Sequence, residues 1–128
     1  MRQGFDRALT LYTETDGGFV KNTVCGASLR VTDLPDGKRS ATVYLPLFLH
    51  RKEKYLFPEE FSGEKGTFTV FVGQRAVIGK CGNDTPPENA LTVTEIYYAL
   101  TGSRRVQHLK IKLITSKKEE NIYEGTDN

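Results

Sequence analysis

The sequence predicts an all-β fold: a small single-domain β-barrel or sandwich of six to seven mostly antiparallel strands with one long loop. Three observations support this prediction. Segments rich in Val, Thr, Ile, Leu and Tyr alternate apolar with polar residues, as half-buried strands do. Turns containing Asp-Gly or Gly separate many of these segments. Hardly any segment favours a helix.

The first two strands form a predicted hairpin. Residues 8–14 (ALTLYTE) alternate, and Asp16-Gly17 follows with the positive φ that a tight turn needs. The return strand is predicted over residues 19–31. We expect it to bend at Gly26, because a bulge costs least at glycine.

A third strand is predicted over residues 41–49, after a Pro- and Gly-containing turn at residues 32–40. Pro46 lies inside it and cannot donate a ladder hydrogen bond. We therefore expect this strand to end at Pro46 or to lie at a sheet edge.

Residues 50–66 form the long loop, which exceeds the usual connection between strands. Pro58 favours a short helical turn at PEEF. Aromatic and apolar residues in a charged loop are typical of a docking segment. The predicted interface residues are Tyr55, Leu56, Phe57 and Phe61.

Residues 67–81 (TFTVFVGQRAVIGKC) are predicted to form a strand, a turn at residues 73–75, and a second strand. Alternation places Phe68, Val70 and Val72 on one face. This hairpin is interpreted as scaffold, with the functional site elsewhere.

Two more strands are predicted, over residues 90–100 and 104–115. Strict alternation of the first would put Leu91, Val93 and Glu95 on one face. In the second of these strands, alternation points one set of side chains inward and the other set outward. The inward set is Leu109, Ile111 and Leu113, and the outward set is His108, Lys110 and Lys112.

The domain prediction is a barrel over residues 8–115 and a flexible C-terminal tail over residues 116–128. The tail offers only Ile122 and Tyr123 as apolar anchors, which is little to bury.

Composition excludes several function classes. Net charge is +2, from 18 basic and 16 acidic residues, which is too mild to indicate nucleic-acid binding by itself. No apolar run approaches a membrane span, and the first ten residues lack a signal-peptide core. We therefore expect an intracellular protein without membrane contact, in which Cys25 and Cys81 are reduced thiols.

No enzyme is predicted, and no cofactor or metal is expected. The only histidines are His50 and His108, and no oxyanion-type motif flanks Cys25 or Cys81, although a Cys–His dyad stays open. Glu59-Glu60 and Glu119-Glu120 are interpreted as solvated charge. Asn83 and Asp84 supply too few ligands for a hard cation.

Basic residues near the last hairpin allow two interpretations. Arg105, Lys110 and Lys112, with Tyr97 and Tyr98 nearby, suit a single-stranded nucleic-acid-binding OB-fold, in which the cations face DNA. Lysines that guard a sheet edge against pairing would give the same pattern.

The order of segments resembles the small minor capsid or head–tail connector proteins encoded by tailed phages and prophages of Gram-positive bacteria. The matching segments, between residues 8 and 113, are LTLYTE, YLFPEEF, VGQRAVIGK, LTVTEIYY and RRVQHLKI. The chain departs from the family in having Gln74 where an acidic residue is common, and in lacking tryptophan.

The resemblance implies an all-β barrel in the neck of the virion, such as a stopper that closes the head after DNA packaging. Its partners would be portal or adaptor and tail proteins. It would form a homo-oligomeric ring on assembly, be a monomer in isolation, and contact packaged DNA weakly. It would be found in the bacterial host cytoplasm and then in the virion neck.

Overall fold

The computed structural model describes residues 7–48 and 52–115. It contains eight strands: β1 (Arg7–Thr15), β2 (Gly18–Asp33), β3 (Arg39–Pro46), β4 (Lys54–Tyr55), β5 (Thr67–Phe68), β6 (Arg75–Ile78), β7 (Leu91–Ala99) and β8 (His108–Thr115). Short 3-10 helices occupy Pro35–Gly37 and Pro58–Glu60. Six strands close an antiparallel barrel in the order β1-β2-β3-β8-β7-β6, and β6 pairs back onto β1. The barrel alternative of the predicted fold class is confirmed.

The first hairpin forms as predicted, including its bend. Arg7 pairs with Ala27 but Leu9 pairs with Val24, which leaves one extra residue in β2. Gly26 lies in this bulge with φ 77°, a left-handed conformation that glycine adopts without steric cost. The bulge bends the 16-residue β2, which pairs with β1 through its first half and with β3 through its second.

The predicted end of the third strand is also confirmed. β3 ends at Pro46, which pairs with His108. The last strand is shorter than predicted: Arg104–Val106 form a turn, and β8 begins at His108. Gly102 positions this turn with φ 87°, and a Cβ added there would lie 2.9 Å from Cγ2 of Val106.

The predicted hairpin over residues 67–81 is wrong. Only Thr67–Phe68 extend as β5, which pairs in parallel with β4 rather than with β6. Strict alternation also fails, because Thr69 and Val70 are both buried while Val72 is 63% exposed. The buried Gln74 side chain donates to the Thr69 carbonyl oxygen at 3.1 Å, which holds residues 69–74 as a compact turn.

A second bulge changes the predicted faces of β7. Val93 pairs with Leu113 but Glu95 pairs with Lys112, so one extra residue lies between Val93 and Glu95. Glu95 is therefore exposed beside Lys112, while Ile96 turns toward the core. A bulge reverses the phase of alternation, which a strictly periodic reading cannot anticipate.

The barrel interior is the hydrophobic core. All three inward residues predicted on β8 are fully buried, as are Phe68 and Val70. Other core residues come from every barrel strand and include Leu9, Leu11, Val24, Val43, Leu45, Ala76 and Val93. The predicted flexible tail, residues 116–128, lies outside the described residues.

We predict that Ile111→Ala lowers the free energy of unfolding by about 2–5 kcal/mol, because it empties a site at the centre of the barrel. Ile114→Ala is the matched control, since Ile114 lies on the same strand but is 37% exposed. Urea unfolding of both variants measures the difference. Equal losses would contradict the placement of Ile111 in the core.

Candidate functional site

The mid-chain segment predicted as the interface packs against its own barrel. Backbone hydrogen bonds from Lys54 to Gly66 and from Leu56 to Phe68, each 2.9 Å, hold it in place. The half-buried Tyr55 ring lies 5.6 Å from the buried Phe68 ring. Phe57 is 40% exposed, whereas Leu56 and Phe61 are half-buried. Phe57 is therefore the most accessible of the four predicted residues.

Exposed apolar side chains gather at one end of the barrel. The pairing of β7, β8 and β3 places three residues in one row: Ala99, His108 and Pro46. Residues just beyond this row therefore lie at the same end of the barrel. The ring of Phe57 lies 6.1 Å from the ring of Tyr98. We call this surface the apolar rim. Its members, 37–58% exposed, are Phe48, Phe57, Tyr98, Leu100 and Val106.

Two contacts connect the rim segments. The Leu47 amide donates to the Gln107 carbonyl oxygen at 3.1 Å, which ties the end of β3 to the turn before β8. The Arg104 guanidinium lies 4.5 Å from the centre of the Phe48 ring, a cation–π geometry. Arg104 therefore places a cation at the edge of the rim.

The structure separates the basic residues predicted to face DNA. Arg105 is exposed in the turn beside the rim. Lys110 and Lys112 instead point outward from the middle of β8, which pairs with β3 on one side and β7 on the other. Tyr97 shares this side wall with them, whereas Tyr98 belongs to the rim.

A shallow groove of about 490 Å³ follows this side wall. One row of paired residues across four strands is Ser28, Tyr44, Lys110 and Tyr97. The next row is Arg30, Thr42, Lys112 and Glu95. We call these two rows the outer face.

The Lys110 ammonium lies between two tyrosine rings of the outer face. Its Nζ is 5.7 Å from the Tyr44 ring centre and 5.6 Å from the Tyr97 ring centre. The Tyr97 hydroxyl donates to a Glu95 carboxylate oxygen at 2.6 Å. That hydrogen bond, together with the carboxylate charge, raises the pKa of Tyr97 and fixes its ring orientation.

Cys81, Asn83 and Asp84 lie beside β1 and β2. The buried Tyr12 hydroxyl donates to the Asn83 carbonyl oxygen at 2.8 Å, and the Lys21 ammonium lies 3.8 Å from Asp84. Hydrogen bonding with Tyr12 and with the Asn83 backbone, aided by the Lys21 charge, lowers the pKa of Cys81. This group anchors the loop after β6 to the barrel.

Among the Cys–His pairs that the sequence left open, His108 and Cys81 lie on different parts of the barrel. His108 lies on β8 with its ring 5.8 Å from the Tyr44 ring, whereas Cys81 lies beside Tyr12. His50 and Glu119-Glu120 lie outside the described residues. Glu59 and Glu60 are exposed in the 3-10 helix.

Within residues 7–48 and 52–115, no three His, Cys, Asp or Glu side chains cluster in a way that could hold a metal ion. In the same ranges, no helix has the length and apolar character needed to cross a membrane. Comparison of the chain with protein-family models, curated proteins and solved structures found no match.

Sequence reasoning missed the charged and aromatic residues that β2 and β3 supply to the outer face, Arg30 and Tyr44. The alternation of β2 and β3 already turns both outward, which is a local signal. Their meeting with Lys110 depends on the pairing of β3 with β8, more than 60 residues away. No local pattern carries that information.

Burial raises the pKa of Tyr12 to about 12. The folded state therefore holds the phenolic proton more tightly than the unfolded state, whose tyrosine has its ordinary value of 10.0. The resulting contribution to stability is complete below pH 10 and is lost as the pH rises through about 12.

We predict that, between about pH 9.5 and 11.5, a range around the ordinary tyrosine pKa of ~10, the free energy of unfolding falls more steeply for the wild type than for Tyr12→Phe. The variant has no phenolic proton to lose. At neutral pH the variant is less stable by about 1 kcal/mol, because the Asn83 carbonyl loses its donor. Urea unfolding across this range tests both effects. Parallel pH profiles would contradict the burial of an uncharged Tyr12.

Proposed function

We propose that this chain is a structural virion assembly protein, a head–tail connector or minor capsid subunit that joins the portal side of a phage head to the tail. The observation that carries the proposal is the apolar rim, with five large side chains 37–58% exposed at one barrel end. Several large apolar side chains that are exposed at the same end of a small domain are typical of a protein–protein contact.

The rim has the residue composition that is typical of the centre of a protein–protein interface. Its aromatic residues Phe48, Phe57 and Tyr98 are of the type that dominates binding energy, each worth roughly 2 kcal/mol or more on truncation. Arg104, held over Phe48, adds a cation that can pair with a partner carboxylate.

The order of segments that resembles the phage connector family supports the same role. On this account the rim docks onto a neighbouring subunit or onto a portal, adaptor or tail protein of the neck. A ring repeats each contact around its axis, so a modest loss at one site is multiplied. Within the predicted interface set, Phe57 contributes most to the contact, and the Tyr55 ring supports the Phe57 ring from the barrel side.

We predict that Val106→Asp and Phe57→Ala leave the barrel folded and exclude the subunit from particles. Val106 is 58% exposed, so a carboxylate there is tolerated in the free subunit but is desolvated in a contact. Val72→Asp is the matched control, because Val72 is 63% exposed away from the rim.

The measurement is the amount of each variant in purified particles of the phage or prophage that encodes the chain, with circular dichroism of the free subunit as the folding check. The wild type and Val72→Asp should be incorporated equally, and the rim variants at a tenth of that level or less. Normal incorporation of folded rim variants would overturn the proposal. So would a gene that has no portal, capsid or tail genes beside it.

A further inference from the structure

We propose that the outer face binds a short segment of single-stranded nucleic acid. Lys110, Lys112 and Arg30 contact the phosphates, and the rings of Tyr44 and Tyr97 stack on the bases. This site is separate from the rim and does not depend on the assembly function.

The row geometry suits a strand laid across the sheet. Tyr44 and Tyr97 stand on either side of Lys110, on strands that flank β8. Adjacent strands lie about 4.8 Å apart, so the two ring positions are separated by roughly 10 Å with the ammonium between them. Rings thus alternate with a cation across the groove, which combines the stacking surfaces and the positive charge that single-strand binders use.

The charges of the outer face are available to a ligand. Three cations, Arg30, Lys110 and Lys112, face one carboxylate, Glu95. None of the three cations forms an ion pair within the described ranges, where the ion pairs are Lys21–Asp84 and Arg39–Asp33. Unpaired cations on one face attract a polyanion and release its counterions on binding.

The edge-guard interpretation does not account for these lysines. Lysines discourage edge-to-edge pairing on a strand that has a free edge. β8 has none, because it pairs over its whole length with β3 and with β7. The cations of β8 therefore have no unpaired backbone to protect.

The two rings favour unpaired bases over other polyanions. Tyr44 is 40% exposed and Tyr97 is 53% exposed, so both offer a ring surface to solvent. Stacking on such rings requires bases that are not already stacked in a duplex. Tyr97 is also oriented in advance by its hydrogen bond to Glu95, at 2.6 Å. An acidic peptide would use the cations but not the rings.

The test is fluorescence anisotropy of the full chain with labelled ten-nucleotide oligothymidine, its duplex with oligoadenine, and a deca-glutamate peptide. Single-stranded DNA should bind in preference to the duplex and the peptide. Three phosphate contacts predict that affinity falls about 20-fold between roughly 50 and 200 mM salt.

Two pairs of variants separate rings from charges. Replacing both tyrosines by leucine (Tyr44→Leu with Tyr97→Leu) should weaken binding at least tenfold more than replacing both by phenylalanine, which keeps the stacking surface. Lys110→Gln with Lys112→Gln should weaken binding and flatten its salt dependence. Lys80→Gln, at an exposed lysine after β6, is the charge control and should bind as the wild type does.

Several results would overturn the proposal. The first is no binding to oligothymidine at about 50 mM salt, which is well below the physiological level of ~0.15 M. The second is duplex binding as tight as single-strand binding, and the third is equal affinity in the leucine and phenylalanine pairs. Deca-glutamate binding that is tighter than oligothymidine binding would assign the outer face to an acidic protein segment instead. Circular dichroism of each variant confirms that the barrel is intact.

Discussion

The barrel depends on its closure by β6, a strand of four residues. β6 pairs with β1 through four residues but with β7 through only two, Arg75 and Ala76. The preceding residue, Gln74, completes this seam: its carbonyl oxygen accepts from the Val93 amide at 2.9 Å. Its buried side-chain amide donates to Thr69 and Thr13. One buried polar side chain therefore links β1, the segment at Thr69 and the start of β6, and removing buried hydrogen bonds of this kind is costly.

Closure determines what the surface can do. The barrel pairs most of its strand edges, and the two surfaces described above are formed by side chains rather than by unpaired backbone. Adjacent residues of a strand point to opposite faces, so Tyr97 and Tyr98 lie on different surfaces, and the bulge between Val93 and Glu95 decides which surface each one joins. Tyr98 joins Phe57 at the rim, while Tyr97 joins Lys110 on the outer face. If the rim docks onto a neighbour as proposed, the outer face on the side wall of the barrel stays accessible to a ligand.

The sequence predicted the parts of the fold that local patterns encode. Alternation identified the inward residues of β8, and Gly26 and Pro46 marked a bulge and a strand end, because glycine and proline act on their own backbone. The hairpin predicted over residues 67–81 is wrong because β5 pairs in parallel with β4, across the intervening loop, and because the buried Gln74 side chain holds residues 69–74 as a turn. The candidate site was predicted only in part, because local patterns do not show which distant strands pair. Phe57 was expected as a docking residue, but Arg30 and Tyr44 join Lys110 only through pairing of distant strands.

Native-state hydrogen exchange of backbone amides tests closure most directly. The amides of Gly73, Gly79 and Val93 donate across the seams to Val93, Ala8 and Gln74, at 2.8–2.9 Å. The closed barrel predicts that these three amides exchange only through global unfolding, with the same free energy as the Ile111 amide in the core strand β8. If they exchange much faster while β8 stays protected, the barrel opens at β6 in the native state, and the account of a rigid closed scaffold is contradicted.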